Sequence, residues 1–144
     1  MTRDETLAAA RALVPRLRER SDACTAARSC PRETIDDLKT SGLMFLLQPA
    51  RFGGSELSWD VFCEALTILA EGCGSQAWVY RVLGDHEQML GLFPEMAQQD
   101  VWGDNPSALA SSSFAPVGHA TVVQGGYRFS GKHTFSSGID HADW

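Results

Sequence analysis

Residues 108–138, "ALASSSFAPVGHATVVQGGYRFSGKHTFSSG", decide the fold class. β-branched and aromatic residues alternate there with small turn residues, a pattern that predicts short strands. Within it, residues 121–130, "TVVQGGYRFS", predict a hairpin with Gly125-Gly126 near the tip. The residues before Gly103 follow another period, with apolar side chains recurring at helical spacing. The chain therefore reads as α+β: a helical unit over residues 1–104, then the start of a β-unit over residues 105–144. That second unit has room for only a few short strands, and their open edges are ones a finished domain usually avoids.

Working back from this boundary, the helices can be placed one by one. Leu7, Ala10, Leu13, Val14 and Leu17 predict a long first helix from Asp4 to about Arg28, with Pro15 as a possible kink. Pro31 suits the first turn of a second helix, and Gly42 is its stop signal. The run "LMFLLQPARFGGSELSWD" predicts a loop with close backbone approach at Gly53-Gly54. Ser58 is the expected cap of a helix from Trp59 to about Glu71 that is apolar nearly all round and hence deeply buried. Ser75 is the expected cap of the next helix, and Pro94 opens a short amphipathic one.

The 144 residues are 44% hydrophobic and 21% charged, with a formal net charge of −6. This is globular composition, and an acidic chain without a basic cluster argues against nucleic acid or an anionic membrane as partner. The N-terminus lacks the apolar segment of a secretory signal, and no apolar run approaches the roughly 18–20 residues that span a bilayer. The four cysteines, Cys24, Cys30, Cys63 and Cys73, form no C-x-x-C pair and are expected to be reduced thiols of a cytoplasmic protein. No H-E-x-x-H spacing is present, so no metal site is expected.

Chemistry has few candidates. His86 sits in an otherwise apolar helix, between Leu83 and Leu90. It is either a half-buried histidine bonded to backbone or a polar group projecting into a pocket. Ser111, Ser112 and Ser113 precede Phe114-Ala115-Pro116 and are either a polar loop or a set of hydroxyls and amides facing a flat polar ligand. There is no G-x-S-x-G elbow, no G-x-G-x-x-G and no Walker loop.

Six segments in order, "RFGG", "EGCGSQAWVY", "GDHEQMLGLF", "QQDVWGDNP", "SSSFAPVGHA" and "GKHTFSSGIDHADW", carry a family resemblance. The chain resembles the N-terminal part of a two-component flavin-dependent aromatic hydroxylase of the acyl-CoA dehydrogenase superfamily. The oxygenase that hydroxylates a phenolic seco-steroid and the 4-hydroxyphenylacetate 3-hydroxylase oxygenases are its nearest types. The resemblance implies a helical N-terminal domain, a middle β-domain that the chain only begins, and a C-terminal four-helix bundle that is missing. It implies reduced FMN or FAD delivered by a separate flavin reductase, O2, a phenolic substrate and a homotetrameric full-length enzyme. Hydroxylation ortho to the phenol oxygen would pass through a flavin C4a-hydroperoxide.

Residue by residue, Ser137 matches the hydroxyl that faces flavin N5, and Phe135 takes the place of a tryptophan in acyl-CoA dehydrogenases. Ser111, Ser113 and Ser136 match the flavin edge. Ser112 matches a position near both flavin and substrate, His86 the histidine of the phenol pocket, and Trp78 a pocket wall or core residue. Asp140-His141 is expected to be a structural turn. An acyl-CoA dehydrogenase would need a carboxylate base from the absent part, and the serines favour the hydroxylase branch. The non-enzymatic alternative is a helical remnant or interaction module.

Overall fold

The computed structural model describes residues 1–115 and 117–144; Pro116, at the end of the serine run's apolar neighbours, lies outside the described residues. Six α-helices come first: α1 (Arg3–Glu19), α2 (Ser21–Ala27), α3 (Arg32–Thr40), α4 (Trp59–Ala70), α5 (Gly74–Gly91) and α6 (Glu95–Trp102). Strands β1 (His119–Val123) and β2 (Gly126–Ser130) follow, and short 3₁₀ turns occupy Leu43–Phe45, Ala50–Phe52 and Ile139–His141.

The expected long first helix is two helices. Pro15 stays inside α1, and the break comes at Arg20, whose backbone (φ −87°, ψ 0°) ends one helix and starts the next. The Arg20 guanidinium is turned toward α3, bonding Asp37 at 2.8 Å and Thr34 at 3.2 Å. The bend lets α2 bring Cys24 into the interior. The start of α1 carries a signal missed in the sequence: Thr2 and Glu5 form a reciprocal capping box, each side chain accepting from the other's backbone N–H. Two expected caps change role. Cys73, not Ser75, occupies the cap position of α5, and Ser58 occupies that of α4, neither with a side-chain cap hydrogen bond. Gly42 does end the α3 segment, in a left-handed turn at φ +79°.

α4 is buried along one face rather than all round: Val61, Phe62, Ala65 and Leu69 face inward. Phe62, Ala65 and Leu69 meet Leu13 and Leu17 of α1, Tyr80 and Leu83 of α5, and Leu38 and Leu43 in one core. Phe62 lies 4.9 Å from Tyr80 and 5.2 Å from Trp59, centroid to centroid. Burying each such large side chain stabilises the fold by roughly 1.5–3 kcal/mol. The core also holds a polar bridge. Gln76 of α5 accepts from Thr34 of α3 at 2.6 Å and donates to the Leu17 carbonyl of α1 at 2.8 Å, so three helices share one satisfied amide.

The strands form an antiparallel hairpin with His119 opposite Ser130 and Val123 opposite Gly126. Every residue of both strands is exposed, including Val122, Tyr127 and Phe129. Exposed apolar strands with unpaired edges are association surfaces. The chain is accordingly expected to self-associate with rising concentration in sedimentation velocity, and Tyr127→Lys with Phe129→Lys to reduce that association. Identical concentration-independent profiles for parent and double variant would refute the hairpin as the contact.

Candidate active site

α5 carries two of the expected site residues about two turns apart, and the segment around 109–113 and the chain's last residues close over it. Leu109 donates its N–H to the Asp143 carboxylate at 2.9 Å, and its carbonyl accepts from Asp143 and Trp144. Ser111 N–H donates to the Trp144 carbonyl at 3.0 Å. These bonds hold the serine run beside residues 134–137.

His86 meets the first of its two readings, a histidine bonded to backbone, and is more deeply buried than expected. It is buried, 2% exposed, and its Nδ1 lies 2.6 Å from the Val82 carbonyl one turn back. A carbonyl can only accept, so Nδ1 carries a proton, and in that tautomer of the imidazole Nε2 accepts from the Ser112 hydroxyl at 2.6 Å. His86 lines neither of the two large cavities itself; Ser112 does. The histidine reaches open space through a serine.

The other serines divide their work. Ser111 Oγ is shared with Ser136 Oγ at 2.8 Å and donates to the Ser137 carbonyl at 3.0 Å. Ser113 Oγ donates to the Thr134 carbonyl at 2.6 Å. These hydroxyls brace the "TFSSG" turn. Ser137 Oγ accepts from the Trp78 indole N–H at 3.3 Å, which leaves its own proton free to donate. Trp78 is a cavity wall, 54% exposed, with the Arg81 guanidinium 5.5 Å above its ring. Phe135 projects outward, 90% exposed, from a left-handed backbone at φ +59° that a bulky residue adopts only where its surroundings impose it. Gly138 answers the next requirement of this turn: φ is +84°, and a Cβ there would lie 2.9 Å from Leu83 of α5.

Two cavities meet at Ser136. One, of about 660 Å³, runs between Trp78, Ser137, Ile139 and the end of α2. The other, of about 500 Å³, is lined by Ser111, Ser112, Ser113, Phe114 and His133. Asp140 and His141 form the expected structural turn. Ser29 donates to Asp140 at 3.0 Å, and His141 Nε2 donates to the Cys30 carbonyl at 3.0 Å, clamping the turn to the α2–α3 loop.

Glu87 was missed. It follows His86 and is fully buried, and neither carboxylate oxygen has a partner among the described residues. Burial pushes its pKa up to about 8, against the pull of the Lys39 cation. Its signal lay in the period: Tyr80, Leu83, Gly84 and Glu87 fall on one stripe of α5, and all four are buried.

A helical body, a short hairpin and a serine strip held over α5 make up the fold of the N-terminal part of acyl-CoA dehydrogenase-like flavoenzymes. No family model matches the chain. The oxygenase subunit HsaA of a flavin-dependent monooxygenase from Mycobacterium tuberculosis is 44% identical over 138 residues, which are 96% of this chain and 35% of that protein. The oxygenase component of an FADH2-dependent resorcinol hydroxylase from Rhizobium is 42% identical over 118 residues, covering 82% of this chain and 29% of the relative. The crystal structure of HsaA from M. tuberculosis superposes with a TM-score of 0.96 at 42% identity, over all of this chain and 39% of that one. XiaF from Streptomyces, in complex with FADH2 and glycerol, superposes at 0.93 with 29% identity, over 99% of this chain and 36% of its own. The chain is similar to the N-terminal part of the oxygenase subunits of these flavin-dependent hydroxylases. It spans about a third of the length of these relatives. Among the described residues no helix is long and apolar enough to cross a membrane.

Proposed function

We propose that this chain forms the N-terminal part of an oxygenase that hydroxylates a phenol ortho to its hydroxyl, using O2 and reduced flavin delivered by a separate reductase. The flavin is reduced FMN or FAD, and the relatives named for or bound to FADH2 favour FAD. The donor set fits such a cofactor. The Ser112 and Ser113 amides make no bond within the described residues, and Ser136 and Ser137 present hydroxyls at the meeting of the two cavities. Residues 111–113 and 135–137 would hold the flavin, with Phe135 offering an apolar plane and Ser137 accepting from its N5–H. Bound reduced flavin supplies the reaction with O2 that places one oxygen atom on the ring. Residues 1–104 are the helical unit in this reading, and the β-unit begins at residue 105. The complete enzyme is a homotetramer.

The observation that carries this reading is the His86–Ser112 pair. With Nδ1–H fixed on Val82, Nε2 is a base aimed at the Ser112 hydroxyl. The serine oxygen can accept a phenol proton while passing its own to His86. The phenol oxygen thereby gains the negative charge that makes the ortho carbon electron-rich. Trp78 walls the pocket and fixes the Ser137 hydroxyl.

The test is Ser137→Ala in an oxygenase carrying this chain as its N-terminal third. The change removes one hydrogen bond, worth roughly 1–2 kcal/mol, and little volume. The competing release of H2O2 is expected to speed up by about ten- to thirty-fold. Reduced flavin is then still consumed, but H2O2 replaces hydroxylated product. Unchanged coupling would move the N5 role to Ser136 or remove it.

A further inference from the structure

α5 meets the turn at residues 134–137 through a second set of side chains, apart from His86. Trp78, Arg81 and Asp85 follow one another at helical spacing and so form one row along the helix. The row ends at the turn, where the Trp78 indole N–H donates to Ser137 Oγ at 3.3 Å. The Arg81 guanidinium carbon lies 5.5 Å from the centre of the Trp78 ring. One Arg81 nitrogen lies 3.1 Å from the Asp85 carboxylate. Trp78 and Ser137 line the 660 Å³ cavity; Arg81 and Asp85 line neither large cavity.

We propose that Arg81, steadied by Asp85, is a positioning residue that holds the Trp78 indole where its N–H reaches Ser137, and so fixes the Ser137 hydroxyl. Its consequence for oxygenation rests on the reading of Ser137 as the hydroxyl that faces flavin N5. Trp78 is 54% exposed, so packing fixes its ring only in part. Its bond to Ser137 is just longer than the usual range of about 2.7–3.2 Å, and a small swing of the indole would lose it. A cation over the ring is drawn to the negative face of the π-system, and a flat guanidinium can stack there. A long arginine side chain has many rotamers, and the bond to Asp85 removes much of that freedom. Both partners are partly shielded, at 36% and 26% side-chain exposure, so salt screens the pair less than an ion pair in open water.

The effect on Ser137 follows from its donor and acceptor count. A serine hydroxyl has two lone pairs and one proton. With the indole N–H on one lone pair, the other is left for a donor in the cavity, and the proton turns elsewhere. Without the indole the hydroxyl rotates, and it presents its proton or a lone pair to an incoming N–H with little preference. Arg81 therefore acts on the flavin side of the site without touching it, through one ring and one hydrogen bond.

The experiment has two arms. The first follows the indole N–H resonances of the four tryptophans by NMR in the isotope-labelled 144-residue chain. Trp78→Phe identifies the Trp78 resonance by its loss, and Ser137→Ala should shift it. Arg81→Gln should shift the same resonance and speed its exchange with solvent by about two- to five-fold, the scale of a partly exposed cation–π contact. The resonances of Trp59, Trp102 and Trp144 should stay in place. Arg81→Lys keeps a cation over the ring and should restore part of the shift. A Trp78 resonance that ignores Arg81→Gln, movement of all four resonances together, or a lysine variant no better than glutamine would overturn the proposal. The second arm uses an oxygenase carrying this chain as its N-terminal third. Arg81→Gln should speed H2O2 release by about two- to five-fold, and should add nothing in a Trp78→Phe background. An added loss in that background would show that Arg81 does not act through Trp78, and would also overturn the proposal. If Ser137→Ala leaves H2O2 release unchanged, the flavin role of Ser137 fails, and the first arm still decides whether Arg81 holds Trp78.

Discussion

Glu87→Gln is expected to stabilise the chain at alkaline pH and to leave it almost unchanged at acid pH. Glu87 is fully buried without a hydrogen-bond partner among the described residues, so the fold keeps it protonated, with a pKa near 8 against an ordinary value of 4.5. Between those two values the unfolded chain carries an ionised Glu87 and the folded chain a neutral one. Folding takes up a proton in that window, so stability is full below the lower value, falls as pH rises, and levels off above the upper one. At about 1.4 kcal/mol per pH unit the loss reaches on the order of 4 kcal/mol. Against a typical total of about 5–15 kcal/mol this is large. Glutamine has the same shape and cannot ionise. Urea unfolding of parent and variant at several values from about pH 5 to 9 should give midpoints that coincide at the acid end and diverge upward. Parallel curves would mean that Glu87 is ionised and partnered in the fold.

Glu87 also marks where the sequence stopped being legible. Helical period, Gly42 and Pro94 located most of the helical body, because those signals act within one or two turns of the chain. The break at Arg20 was not legible, since it depends on Asp37 and Thr34 of α3, reached only in three dimensions. Ser58 and Ser75 looked like caps, yet Ser58 bonds none of the α4 amides and the cap position of α5 is Cys73. Cap preference is a tendency among residue types, and packing chose the start of α5. Single-sequence reading gave the hairpin and its glycine turn, but not that both strands would be exposed on both faces. At the site, the motifs brought the two serine clusters and His86 into view as separate points. That Ser111 and Ser113 brace residues 134–137, while Ser112 alone turns to His86, is a matter of register between segments more than twenty residues apart. No local pattern encodes that register.

The same register makes the strongest prediction about activity. In an oxygenase carrying this chain as its N-terminal third, His86→Gln is expected to lower phenol hydroxylation by about 100-fold, the usual scale for losing a general base. Glutamine is the informative replacement because of where His86 lies. At 2% exposure, with one nitrogen on Val82 and the other on Ser112, an alanine would leave a cavity and strip the Ser112 hydroxyl of its acceptor. That variant would cost roughly 1–3 kcal/mol of stability and mix folding with function. The glutamine amide can still accept from Ser112 but cannot take up a proton at neutral pH. Loss should therefore fall on kcat, with KM close to the parent's. Ser112→Ala should produce a comparable loss. If the two residues act as one relay, the double variant will be little worse than either single variant, whereas independent contributions would multiply. A His86→Gln enzyme with the parent's turnover, or singles whose losses multiply, would reduce His86 to a satisfied core histidine and leave Ser112 to bind without moving a proton.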